Sequence, residues 1–332
     1  MTTAILSRHQ LPLIVLGMLL VAACICSLMF GVRSIGAGDA LHALLGHTTT
    51  AEEAAAAKRI PRTVLGILVG AALAVSGTTL QAVTRNPLAD PGIFGVLSGA
   101  SLAVVTGIAF FGLSAAVPTM MVAVAGAALA AVFVYTVGSI GGATPLKLAL
   151  AGAATAAALS SLVSAVLLPR LEVMDSFRFW QIGGIGGADW ERITLATPAL
   201  AVGFLICLTC ARGLNALALG DDIATGLGEH VWRTRLLASA GAVLLCGVAT
   251  ALAGPIAFVG LIIPHLCRLV IGTDHRWLIP ITAVAGAALL LSADTVGRVL
   301  TRPEEVAVGI IMPLLGAPLF IWIIRRQKVR QL

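Results

Sequence analysis

About ten stretches of this chain stay apolar for close to 20 residues at a time, the length a helix needs to cross a bilayer. They lie near 11–31, 63–83, 93–112, 117–138, 147–168, 194–211, 234–252, 256–272, 278–298 and 307–325. The divisions at 112–117 and 252–256 are the least marked. Lipid offers no partner to an open backbone amide, so such segments must be helices or strands of a closed barrel. Barrel strands alternate apolar and polar residues, and these runs do not. Only 11% of the residues are charged, where a soluble domain carries roughly 25%. The expected fold is all-α: a polytopic membrane protein of about ten transmembrane helices, with residues 1–332 forming one transmembrane domain.

Arg8 and His9 followed by an apolar run have the outline of a signal peptide, and Val21-Ala22-Ala23-Cys24 that of a lipoprotein cleavage site. The run continues through Phe30, however, so it is read as the first transmembrane helix. Small residues recur in the second span, as Gly66-xxx-Gly70 followed by Ala71, Ala72, Ala74, Ser76 and Gly77, a pattern that lets helix backbones approach closely in lipid.

Catalytic signatures are missing. There is no G-x-x-x-x-G-K-[ST] loop, no His-Glu-x-x-His and no serine elbow. The cysteines lie in or beside apolar runs; Cys207 and Cys210 have metal-site spacing but no second pair beside them. His265 is read as a helix-to-helix hydrogen-bonding group rather than an iron ligand. No catalytic residue and no metal ligand is assigned, and nothing points to nucleic acid. If the protein is driven by ATP, ATP and Mg²⁺ must bind to a separate subunit.

Basic residues cluster after the last span, at Arg325, Arg326, Lys328 and Arg330. The positive-inside tendency then puts both termini in the cytoplasm. That topology leaves Arg59, Arg62, Arg170, Arg192 and Arg298 outside, where they need a reason. Arg62 is expected to start a helix ending at Gln81, where a cation opposes the macrodipole and would call for an acidic partner. Asp294 is the one acid placed inside a span, and intramembrane acids are usually paired. Arg298 follows it by one turn, so an i,i+4 pair is possible. Asp90-Pro91-Gly92-Ile93-Phe94-Gly95 and Gly254-Pro255-Ile256-Ala257-Phe258-Val259-Gly260 precede the third and eighth spans, as an inverted repeat would arrange them.

Four passages carry a family resemblance: Arg59-Ile-Pro-Arg62, Asn86-Pro-Leu-Ala-Asp-Pro-Gly92, Leu219-Gly-Asp-Asp222 with Ala224 and Leu227-Gly228, and Pro255 through Arg268 with Asp274-His-Arg276. Together they resemble permease subunits of bacterial ABC importers for iron chelates, haem and cobalamin, the FecCD/BtuC type. Thr84 through Gly92, Arg178-Phe-Trp-Gln181 and Asp274-His-Arg-Trp277 look most like the ferric-siderophore (ferric-enterobactin) type, whereas Gly183 through Trp190 looks nearer the cobalamin member.

The resemblance implies a type II ABC importer permease in the bacterial inner membrane. Its partners would be a second permease subunit (a copy or a paralogue), two ATP-binding cassette subunits and an external substrate-binding protein. It implies ATPase coupling through Leu219, Gly220, Asp221, Asp222, Ala224, Leu227 and Gly228. The acids would charge the first turn of a short helix, Gly228 would stop it, and Ile223, Ala224 and Leu227 would form its exposed apolar face. It implies docking of the binding protein on Arg59, Arg62 and Arg298, the last sharing the choice of partner with Asp294. It implies a cytoplasmic gate at Asn86 and Leu88 with Pro145 and Leu146. A secondary transporter would need functional charges in mid-membrane, where only Asp294 qualifies; a membrane enzyme would need a catalytic cluster.

Overall fold

The computed structural model describes residues 2–142 and 144–326, so Lys328 and Arg330 lie outside the described residues. Every regular element described is helical. In chain order these are α1 (Thr2–Met29), α2 (Ala37–Leu44), α3 (Ala51–Thr84), α4 (Val96–Phe111), α5 (Ala116–Gly138), α6 (Pro145–Leu167), α7 (Leu171–Ile182), α8 (Trp190–Thr209), α9 (Ala211–Leu217), α10 (Asp221–Gly226), α11 (Val231–Ala253), α12 (Val259–Ile271), α13 (His275–Leu300) and α14 (Val308–Arg326), with a single 3₁₀ turn at Pro91–Phe94.

Each of the ten apolar stretches coincides with a helix. Seven of these, α1, α3, α5, α6, α8, α11 and α13, are long and apolar enough to cross a membrane; α4, α12 and α14 offer shorter apolar stretches. Both divisions are real breaks. Gly112, at φ 62, ends α4, and Gly254, at φ 71, ends α11. The two proline-containing segments that precede the third and eighth spans also enter their helices alike. Gly95 before α4 and Phe258 before α12 are both left-handed, at φ 69 and 70. For Phe258 that conformation is strained and must be held by its surroundings.

The helix that carries the arginine pair is longer than expected. It starts at Ala51, not at Arg62, and runs to Thr84, past Gln81. Thr50 caps it: the Thr50 hydroxyl accepts from Glu53 N, and the Glu53 carboxylate accepts from Thr50 N, a reciprocal box that satisfies two open amides. The first turn thus carries Glu52 and Glu53, which suit the positive end of the dipole.

α3 is the central helix, packed by α13, α11 and α12, while α4, α5 and α6 pack together beside it. Its small residues explain how. A Cβ on Gly70 would lie 2.5 Å from Gly286 O, and one on Gly77 only 1.9 Å from Gly260 O. Backbone therefore meets backbone where α3 crosses α13 and α12, and a larger side chain would force the helices apart.

Candidate functional site

At the end of the bundle where α1 and α13 finish, three arginines converge. Arg62 lies about three turns into α3, away from the unfavourable first turn. It reaches Asp294 on α13 through Nε and Nη2, at 3.0 and 2.8 Å, in a bidentate fork. Its Nη1 donates to Glu305 at 2.6 Å. Arg298 Nε lies 3.0 Å from the same Asp294 carboxylate, an i,i+4 ion pair. Both Asp294 and Arg298 are only 1% exposed.

Arg298 also donates to Ser27 O at 3.0 Å, and Arg59 donates to Leu28 O at 2.9 Å and Arg33 O at 2.7 Å. Cations on the last carbonyls of α1 sit where the helix dipole favours them. Arg192 does the same for α11, donating to Ala251 O and Leu252 O. Arg170 lies 4.6 Å over the Phe110 ring. These five arginines therefore have partners within the chain. The acidic partner expected for Arg62 is met inside the chain, by Asp294 and Glu305. Arg298 is not presented at the surface: it is a buried support beneath Asp294.

At the opposite end of α3, Arg85 is its left-handed C-cap, at φ 48. Arg85 Nε donates to Leu217 O at 2.8 Å and its Nη2 to Asp221, which also accepts from Arg235 Nη2 at 3.1 Å. Asp221 and Asp222 occupy the first turn of α10 as expected. Gly220 and Gly228 flank it at φ 113 and 82, backbone that a side chain would strain. One correction is needed. Ala224 is fully buried, and the exposed apolar face is formed by Leu219, Ile223 and Leu227 instead. Ile223 and Leu227 are one helical turn apart, and Leu219 stands just before the helix. Beneath it, Asn215 on α9 donates to Asp274 at 2.7 Å and accepts from His275 N at 2.9 Å. Hydrogen bonds from Arg276 and Asn215 hold the Asp274 carboxyl well below the usual carboxylate range.

Directly after Arg85, Asn86 Oδ1 accepts from Leu88 N at 2.9 Å, an Asx turn that fixes the loop and leaves Leu88 exposed. Asp90 caps the 3₁₀ turn by accepting from Gly92 N at 2.8 Å. α6 packs on that turn. It begins with Pro145 at its first position, behind the Thr144 cap, and Leu146 is exposed.

Gln81 was read only as a helix end, and it holds a joint. Pro264 has no N–H, so the Gly260 carbonyl four residues earlier loses its helical donor. Gln81 Nε2 supplies one at 3.0 Å, while Gln81 Oε1 accepts from Arg268. The sequence signal was available: a proline inside an apolar helix implies an orphaned carbonyl that some buried polar side chain must serve. Among the described residues, no group of three or more His, Cys, Asp or Glu could hold a metal ion.

Residues 19–326 match the FecCD transport family. The chain belongs to that family. Its curated relatives are transport proteins. The "Ferric enterobactin transport system permease protein FepD" of Escherichia coli (strain K12) is 42% identical over 313 residues, 93% of each chain. The "Hemin transport system permease protein HmuU" of Yersinia pestis is 40% identical over 81% of this chain and 82% of its own. The "Cobalamin import system permease protein BtuC" of Halobacterium salinarum (strain ATCC 700922 / JCM 11081 / NRC-1) is also 40% identical, over 86% and 77%. A solved inward-facing conformation of a metal-chelate type ABC transporter superimposes with a TM-score of 0.84 at 30% identity, covering 96% of this chain and 100% of the other. As a FecCD permease, the chain is a transport component rather than an enzyme, and its long apolar helices are those of a multi-pass membrane protein.

Proposed function

We propose that this FecCD permease carries a ferric-siderophore chelate into the cytoplasm as the membrane subunit of an ATP-driven importer. The observation that carries the substrate is the 42% identity with the ferric enterobactin permease across nearly all of both chains. Two permease subunits form the path between them. α4, α12 and α14 complete the seven longer spans to ten, and both termini face the cytoplasm of the bacterial inner membrane.

Two separate subunits bind ATP and Mg²⁺ and dock on α10. The exposed Leu219, Ile223 and Leu227 supply its contact face, and Asp221 ties it to Arg85, next to the loop of Asn86 and Leu88. That loop and the one at Pro145 and Leu146 close the cytoplasmic side. At the other end an external binding protein docks on Arg59 and Arg62, with Arg298 supporting them from beneath.

The test is uptake by the complete transporter in liposomes, with ferric enterobactin, haemin and cobalamin supplied in competition. ATP-dependent accumulation of the ferric siderophore alone is expected. Preferential uptake of cobalamin or haemin would overturn the substrate, and uptake by this chain without an ATPase would overturn the class.

A further inference from the structure

The two acids bound to Arg62 are not equivalent. Asp294 is buried within α13 and shared with Arg298. Glu305 stands on the loop between α13 and α14, outside any helix, and its side chain is 37% exposed, against 12% for Arg62. It reaches Arg62 through a single guanidinium nitrogen, Nη1. Asp294 takes the other two. Arg59 lies close enough to Arg62, Arg302 and Glu305 to feel all three charges. Arg59, Arg62, Arg298 and Arg302 thus gather around Asp294 and Glu305, and only Asp294 is held by a helix.

We propose that Glu305 is a stand-in: it occupies the position on Arg62 that a carboxylate of the docked binding protein takes over. This rests on the docking role of Arg62 given above. Exchanging one carboxylate for another keeps the charge of the cluster unchanged. The buried Asp294 fork holds the guanidinium still while the outer oxygen is replaced. The displaced Glu305 then has solvent beside it.

The loop is tied at its far side. Val306 N donates to Gly297 O at 3.1 Å and Gly309 N to Gly183 O at 3.1 Å. A Cβ on Gly309 would lie 1.9 Å from Ile182 O, so the start of α14 rests directly on the end of α7. None of these ties involves the Glu305 carboxylate, so its side chain can let go of Arg62 while the loop backbone stays in place.

The experiment is titration of the complete transporter in nanodiscs with its binding protein, at several salt concentrations. Glu305→Gln removes the competitor and leaves Arg62 open. Affinity should rise about two- to fivefold, the range of a partly exposed ion pair, and its salt dependence should steepen. Glu305→Asp, too short to reach equally well, should fall between. In Arg62→Gln affinity should drop, and adding Glu305→Gln to it should change nothing further. Unchanged or weaker binding by both Glu305 variants, with Arg62→Gln still impaired, overturns the stand-in and leaves docking intact. If Arg62→Gln also binds normally, the docking role itself fails.

Discussion

Asp294→Asn removes the charge on which two arginines converge, and the geometry sets the expected cost. Asp294 accepts two hydrogen bonds from Arg62 and makes one ion contact with Arg298, all within 3.0 Å. An asparagine has nearly the same shape, so no cavity forms. It keeps one acceptor oxygen and turns an N–H₂ group toward donors. Removing one partner of a buried ion pair costs about 3–5 kcal/mol, because the other charge is left uncompensated. Arg62 keeps Glu305 and Arg298 keeps Ser27, so the lower end, about 3 kcal/mol, is expected here. That corresponds to about a hundredfold in the folding equilibrium. The assay is reversible unfolding in mixed micelles, followed by size-exclusion recovery. Asp294→Asn with Arg298→Met removes one orphaned cation and should recover about half of the loss. A single variant within about 0.5 kcal/mol of wild type, the scale of an ordinary surface change, would refute the idea that this cluster holds α3 to α13.

Three further outcomes are expected. Gly77→Leu should abolish the folded fraction recovered from detergent, because a Cβ there already meets Gly260 O at 1.9 Å; Gly38→Leu, with open space around it, should not. Leu219→Asp with Ile223→Asp should abolish ATPase co-purification while the permease stays folded, whereas Ala224→Trp, at a fully buried position, should lower thermal stability before it affects docking. Arg85→Gln should leave ATPase binding intact but reduce uptake relative to ATP hydrolysed, since it frees α10 from the loop at Asn86; an unchanged ratio of transport to hydrolysis would count against the link.

Hydropathy located the helices well because it measures what lipid demands of a sequence. It located their ends poorly because a helix continues as far as its hydrogen bonds are satisfied. α3 starts at Ala51 through a Thr50 and Glu53 cap that lies outside the apolar stretch. α7 carries Glu172, Asp175 and Arg178 and so fell below any apolar threshold, although it packs against α4 and α6. Pairing was legible only where it is local. Asp294 and Arg298 are one turn apart, while Arg62 and Asp294 are 232 positions apart in sequence. The short helix α10 shows the same limit. Its acids and flanking glycines follow from local rules, but which apolar residue turns inward depends on α9 and α11, against which it packs.

The polar contacts of α3 differ in kind along its length. Between its ends its partners are buried and fixed: Gly70 against Gly286, Gly77 against Gly260, and Gln81 on the carbonyl that Pro264 leaves open. Close-packed backbone crossings of this sort leave little room for α3 to shift against α12 and α13. On either side of that stretch the contacts are part-exposed and made by charged side chains, Arg62 with Glu305 about three turns into the helix and Arg85 with Asp221 at its C-cap. Exposed ion pairs are weak and exchangeable. Each lies beside a surface proposed above to meet a partner protein, the binding protein at one and the ATPase at the other. On that proposal, an exchange at either surface would act on the same closely packed central helix, and its coupling to the other surface is what the Arg85→Gln ratio of transport to hydrolysis measures.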